Sequence, residues 1–320
     1  MMMRGLYKRG RFPGLCARKS FLTAENKNLE GKRNGTHQED HLNLSNFTLR
    51  GKETEKNHHA MAQPKVLFVL TSADKMPTGE STGWWLVCFS PSSSPLLPSI
   101  SLPKSTFNLS QLTPYKSEFA HPYTILAPHA SITIASPKGG LAPLDSNSVA
   151  HAKSINDSVS DTFLSTQSSL WETTVPLSTI TGHAGEYAAI FFVGGHGPMV
   201  DLANDPESIA LIREFYSADK VIAAVCHGPA ALINVTLDDG RHLLEGLKVT
   251  GFTDSEEANT GVKVPFSLQQ RLDQASGGGF VRGEDWKEMV EVGRHGKLIT
   301  GQNPGSAAAV GGAILEAIKA

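Results

Sequence analysis

The sequence predicts an α/β domain built on a mostly parallel central sheet, with a nucleophile elbow where one strand turns into a helix. Three observations predict it. Short β-branched apolar runs alternate with helical periods from residue 65 to residue 319. The runs are apolar throughout rather than at every second position, as strands covered on both faces are. One of them, Val221-Ile222-Ala223-Ala224-Val225, stops abruptly at Cys226-His227-Gly228-Pro229.

Taken in order, Lys65–Thr71 reads as a buried first strand, followed by strands at Ala130–Ala135 and Ala188–Val193. Pro206–Ser217 has a helical period. Lys220–Val225 is the next strand and Pro229–Val235 the helix after it. Strands at Lys248–Gly251 and Lys297–Thr300 and a closing helix at Ala307–Lys319 complete the pattern. Thr82–Leu86 reads as the start of an amphipathic helix that resumes at Glu118–Tyr123.

Two stretches stand apart. Residues 1–60 lack hydrophobic periodicity and carry 12 Lys and Arg against 6 Asp and Glu, leaving 17 against 25 for residues 61–320. This basic leader is expected to be disordered, since it cannot bury enough apolar surface to offset ordering entropy. It is either a mitochondrial transit peptide, for which its six basic and no acidic groups in the first 24 residues speak, or translated upstream sequence ahead of a natural start at Met61. Residues 87–117 are rich in Ser, Pro and Leu and hold no acidic residue, which fits neither helix nor central strand. They are expected to be an insertion into the domain of residues 61–320, of retained-intron or gene-model origin.

The overall net charge of −2 gives no reason to expect nucleic acid, and no run of eighteen apolar residues marks a membrane span. Three cysteines, at positions 16, 88 and 226, form neither a disulfide framework nor a zinc cluster of familiar spacing. Cys16 and Cys88 fall in the leader and in the insertion and carry no expected function.

Cys226 does. A cysteine attacks as thiolate, so it needs a stabilised anion and partial access. A strand end followed by His, Gly and Pro supplies a turn, a neighbouring base and the free N–H groups of a helix start. The Gly194-Gly195-His196-Gly197 turn after the preceding strand adds a second glycine-permitted strand end, the place where ligands bind in open α/β sheets.

Four motifs follow one another in the chain: Gly-Gly-His-Gly-Pro-Met-Val-Asp at 194–201, Ala-Val-Cys-His-Gly-Pro at 224–229, Thr-Gly-Phe-Thr-Asp-Ser-Glu-Glu at 250–257 and Leu-Ile-Thr-Gly-Gln-Asn-Pro at 298–304. Together they resemble the DJ-1/PfpI superfamily, and most nearly its Hsp31-like branch with glyoxalase III activity. The resemblance implies a flavodoxin-like three-layer sandwich with a mostly parallel central sheet, related to class I glutamine amidotransferases.

It also implies a catalytic set of Cys226, His227, Glu257 and Glu118. Glu257 would orient His227, with Glu256 as the adjacent alternative where the family has glycine. Glu118 would hydrogen-bond the cysteine, and Glu80 is a decoy expected in an exposed loop. The backbone N–H groups of Gly195 and His227 would form the oxyanion hole. His196 is expected to line the pocket, and His121 to be structural or pocket-lining.

The activity implied is glutathione-independent conversion of methylglyoxal to D-lactate, a lyase reaction of the D-lactate dehydratase type, on a small 2-oxoaldehyde and without metal or organic cofactor. A stress-protective chaperone role, a homodimer and a cytoplasmic location, with the nucleus as a second compartment, accompany it; a mitochondrial location follows only if the leader is real. Two other readings use the same fold: a cysteine amidase or peptidase, and a holdase chaperone without essential catalysis.

Overall fold

The computed structural model describes residues 63–86, 117–155 and 157–320. The leader at 1–60 and all of the insertion except Ser117 lie outside them. Seven strands run through the described chain: β1 Lys65–Val69, β2 Ser131–Ser136, β3 Val175–Pro176, β4 Ala189–Phe192, β5 Val221–Val225, β6 Val290–Gly293 and β7 Leu298–Gly301. Their order across the sheet is β3-β2-β1-β4-β5-β7-β6, parallel throughout except for β6, which pairs antiparallel with β7. β5 therefore lies inside the sheet, in register with β4 and β7.

Nine α-helices among the described residues flank it: α1 Ala120–Leu126, α2 Ser146–Ile155, α3 Ser158–Thr166, α4 Ser169–Glu172, α5 Gly197–Val200, α6 Pro206–Ser217, α7 Asp254–Thr260, α8 Leu268–Ser276 and α9 Ala307–Lys319. One group, with α9 against α1 and α1 against α3, packs on β5 and β7 through α9; another packs through α6 on β4 and β5. The result is the expected three-layer sandwich. The inner strands have no exposed face: Val66–Val69, Ala189–Phe192 and Val221–Val225 are all buried. That explains their unbroken apolar composition, because each side chain that leaves water adds about 25 cal/mol per Å² of apolar surface.

An aromatic cluster anchors the segment that leads into α1. Phe119 stands against Phe68, edge-on to Trp84 at 5.3 Å and edge-on to Phe163 at 4.8 Å. Among the described residues no helix is long and apolar enough to cross a membrane.

Three expectations fail locally, each for a packing reason. Lys248–Gly251 is not a strand. The free edge of β7 is taken by β6, so Val249 makes only an isolated bridge to Phe280, and the Thr250 N–H turns to the Thr300 hydroxyl at 3.0 Å. Thr82–Leu86 is not helical; Trp84 bridges Leu144, donates to Pro143 O at 3.0 Å and accepts from Asp145 N–H at 3.1 Å. All five residues of that stretch are buried, leaving no solvent face for an amphipathic helix. Finally, Pro229–Val235 is no α-helix but follows a tight 3₁₀ turn over Gly228–Leu232, every residue of which is buried. A Cβ on Gly228 would overlap the Phe192 carbonyl, so the turn lies directly on β4.

Candidate active site

Cys226 caps the inner strand β5 in a conformation that few residues accept. Its φ is +60°, in the left-handed region that costs a non-glycine residue about 1 kcal/mol or more. Two hydrogen bonds fix it there: Cys226 N–H to Gly301 O at 2.9 Å, and Phe252 N–H to Cys226 O at 2.9 Å. The strained backbone throws Sγ off the strand end and against its own neighbour, with Sγ 3.2 Å from His227 Nδ1.

His227 is fully buried and its Nε2 lies 2.7 Å from Glu257 Oε2. Glu257 sits in the first turn of α7, where Thr253 and Glu256 form a capping box. The adjacent carboxylates point to different tasks. Glu257 meets His227, whereas Glu256 turns away and accepts from Thr253 N–H, Trp286 N–H, Gln302 Nε2 and Asn303 Nδ2. Glu256 is thus a buried joint between α7 and the loop after β7.

The second oxygen of Glu257 is also occupied. Oε1 lies 2.8 Å from His196 Nε2 and accepts from the Thr260 hydroxyl at 3.0 Å. One carboxylate therefore serves two imidazoles, whose ring centres are 4.3 Å apart. Because a carboxylate only accepts, each ring presents Nε2–H to it, and His227 keeps Nδ1 as the acceptor facing sulfur.

The electrostatics agree with that assignment. Burial, helped by the charge of His196, pushes His227 down to about 4, although Glu257 pulls the other way. For Glu257, burial favours the protonated form, but His227 and His196 outweigh it and hold the carboxyl well below the usual carboxylate range. Near pH 7 the pair is neutral imidazole and carboxylate, the state in which a histidine can accept a proton.

Glu118 approaches from the other side. It is fully buried, and burial raises its carboxyl to about 8, opposed by the Cys226 side chain and the N–H groups of Gly194 and Gly195 alongside it. Neither oxygen has a nitrogen or oxygen partner at good hydrogen-bonding geometry. Near pH 7 this is a carboxylic acid with a proton to give, beside sulfur. The fit is close enough that a Cβ on Gly194 would overlap both the Glu118 carboxyl and Cys226 Cβ. Gly195, at φ +91°, meets the backbone of Gly83, Trp84 and Trp85, so neither glycine of this turn can carry a side chain.

Of the other predicted residues, His196 lines a cavity of about 330 Å³ together with Trp85, Asp145, Thr260 and Glu80. Glu80 lies in an exposed loop as expected, yet that loop forms part of the cavity wall. His121 Nδ1 accepts from Ser117 N–H at 2.8 Å, which anchors the residue preceding Glu118.

Sequence reasoning missed Trp85, Thr260 and Asp201. Asp201 accepts from Thr71 Oγ1 at 2.9 Å and Ser72 N–H at 2.7 Å, tying the end of β1 to α5 directly after His196; burial lifts its carboxyl to about 6. It closes the Gly-Gly-His-Gly-Pro-Met-Val-Asp motif, which was its only signal. His196, His227 and Glu257 bring their donor atoms within 4.8 Å of one another, a spacing a metal ion could bridge. In the structure those atoms are paired with each other.

A seven-stranded, nearly all-parallel sheet that presents a strained cysteine, a neighbouring imidazole and a carboxylate bonded to that imidazole at its strand ends defines an elbow-bearing α/β protein. A profile of the DJ-1/PfpI family matches residues 172–317. The Rapid Encystment Protein 24 KDa of Francisella tularensis superimposes with a TM-score of 0.65 and 33% identity, covering 80% of this chain and 99% of that one. The chain belongs to the DJ-1/PfpI family.

Two curated relatives are each 32% identical to it. One is the glutathione-independent glyoxalase HSP31 of Saccharomyces cerevisiae, over 145 residues, and the other the probable glutathione-independent glyoxalase hsp3104 of Schizosaccharomyces pombe, over 139. The alignments cover 43% and 42% of this chain, and 60% and 62% of the respective relatives.

Proposed function

We propose that this chain is a glutathione-independent glyoxalase that converts methylglyoxal and water to D-lactate, with Cys226 as nucleophile. The observation that carries the reading is the buried relay of Cys226 Sγ, His227 and Glu257, with a protonated Glu118 beside the sulfur. The names of the two yeast relatives support the same reaction.

Sγ adds to the aldehyde carbon while the thiol proton passes to His227 Nδ1. Negative charge builds on the former carbonyl oxygen near the N–H groups of His227 and Gly195, and His227 then returns the proton to give a neutral hemithioacetal. His227, neutral again, removes the proton from C1. The electron pair moves toward the keto oxygen, giving an enediolate; the proton is returned to C2 and the proton of the C1 hydroxyl passes to the C2 oxygen. This internal transfer leaves the lactoyl thioester of Cys226. Water cleaves the thioester, releasing lactate and the thiol, so every atom is accounted for without an external oxidant. Glu257 stays ionised throughout and stabilises the imidazolium each time it forms. Glu118 supplies a hydrogen bond to sulfur whenever it bears negative charge.

The family resemblance supports a homodimer, a cytoplasmic location and a protective role in stress alongside catalysis. The test is D-lactate formation from methylglyoxal by the full chain without glutathione, with Cys226→Ser as control. Lactate from the wild type and none from Cys226→Ser is the expected result. A folded wild type that makes no lactate overturns the reading, and suppression of aggregation or amide hydrolysis then becomes the activity to pursue.

A further inference from the structure

We propose that Trp85 is the residue that positions the substrate, its indole N–H donating to the keto oxygen of the bound 2-oxoaldehyde; this rests on the glyoxalase reading above. Trp85 is 6% exposed and forms a wall of the 330 Å³ cavity shared with His196. Its ring stands edge-on to His196 at 4.5 Å, His227 at 5.7 Å and Phe252 at 6.4 Å, directly over the catalytic pair.

The indole nitrogen is buried with no hydrogen-bond partner among the described residues. The adjacent Trp84 makes the contrast plain, since its Nε1 donates to Ala142 O at 3.3 Å. A buried donor without an acceptor destabilises the empty site, and an acceptor arriving with a ligand removes that cost. The ring cannot easily swing away to find another partner: the backbone of residues 83–85 lies so close to Gly195 that a Cβ there would overlap it, and Leu86 N–H is held by Ser148 Oγ at 3.1 Å.

The chemistry of the reaction identifies the acceptor. A 2-oxoaldehyde carries two carbonyl oxygens. Once sulfur adds to C1, that oxygen lies near the His227 and Gly195 N–H groups. The C2 oxygen then gains charge as the enediolate forms, and it needs a donor of its own. Of the three hydroxyls on the wall, Thr260 Oγ1 is committed to Glu257 and Ser148 Oγ to Asp145 O, while Ser81 lies on an exposed residue. The Trp85 N–H is uncommitted, and a donor in a dry site aimed at developing charge stabilises the transition state more than the ground state.

The experiment compares wild type, Trp85→Phe and Trp85→Tyr in the full chain, the last restoring a donor on a smaller ring. Lactate formation gives kcat and KM. Alkylation of Cys226 by iodoacetamide, with and without hydroxyacetone, which keeps the keto oxygen but lacks the aldehyde, gives a protection constant that needs no turnover. We expect Trp85→Phe to lower kcat/KM about 10- to 100-fold, to weaken protection at least about fivefold and to leave unprotected alkylation within about twofold of wild type; Trp85→Tyr should recover part of both losses. Equal kcat/KM for Trp85→Phe and wild type overturns the inference, as do equal losses for Phe and Tyr or an altered unprotected alkylation rate. If wild type makes no lactate, the glyoxalase reading falls and the protection constants alone judge Trp85: identical values in wild type and Trp85→Phe, or no protection at all, overturn it.

Discussion

Replacing Glu118 by Gln should make the protein more stable at neutral pH while removing the acid proposed to act beside the Cys226 sulfur. Glu118 ionises at about 4.5 when the chain is unfolded and at about 8 in the fold, because burial outweighs the contacts that favour its anion. Below about pH 4.5 the group is protonated in both states and adds no pH dependence. As pH rises from there toward 8, the unfolded chain releases the proton and the folded chain keeps it, so stability is lost at about 1.4 kcal/mol per pH unit. By pH 7 the accumulated loss is about 3 kcal/mol. Glutamine has nearly the same shape and does not ionise, so it escapes this loss. Urea unfolding of wild type and Glu118→Gln at pH 5, 6, 7 and 8 tests the argument. Asp201, raised to about 6, and His227, lowered to about 4, titrate in both proteins and cancel in the difference. The difference should widen steadily in favour of Gln up to pH 8. A difference that stays constant over this range would mean that Glu118 is not held protonated, and the donor role assigned to it beside sulfur would go with it.

The neighbouring carboxylates of α7 should separate cleanly on mutation. Glu257→Gln removes the anion shared by His227 and His196 and should lower kcat for lactate formation by about 10²–10⁴-fold, read by steady-state kinetics, while urea unfolding stays cooperative. Glu256→Ala strands the Trp286 N–H and the amides of Gln302 and Asn303 in the interior, and should cost about 3 kcal/mol or more in urea unfolding.

The strands of the sheet were legible because burial on both faces leaves a continuous apolar record, as in Val66–Val69 and Val221–Val225. The elbow was legible because its residues are contiguous. What the sequence hid is what depends on distant partners. Lys248–Gly251 has the composition of a strand, but β6 occupies the edge it would need, and nothing within four residues records that competition. The short, partly exposed Val290–Gly293 that fills the edge carries almost no pattern of its own. Likewise, Glu257 bonds His196 across 61 positions, and only the fold reveals that the two histidines share one carboxylate. The choice between Glu256 and Glu257 rested on family position alone, because both suit a helix start; the capping box settles their orientations by using Glu256 as its reciprocal partner.

The hydrogen bond from Cys226 N–H to Gly301 O has a consequence for how the protein comes into being. Cys226, His227, Glu257 and Glu118 all precede residue 298 in the chain, yet the strand that pins the elbow follows them. A ribosome that has made all four of these residues has therefore not yet made the strand that holds the elbow. The backbone hydrogen bond that holds Cys226 at the strand end forms only once β7 has paired with β5.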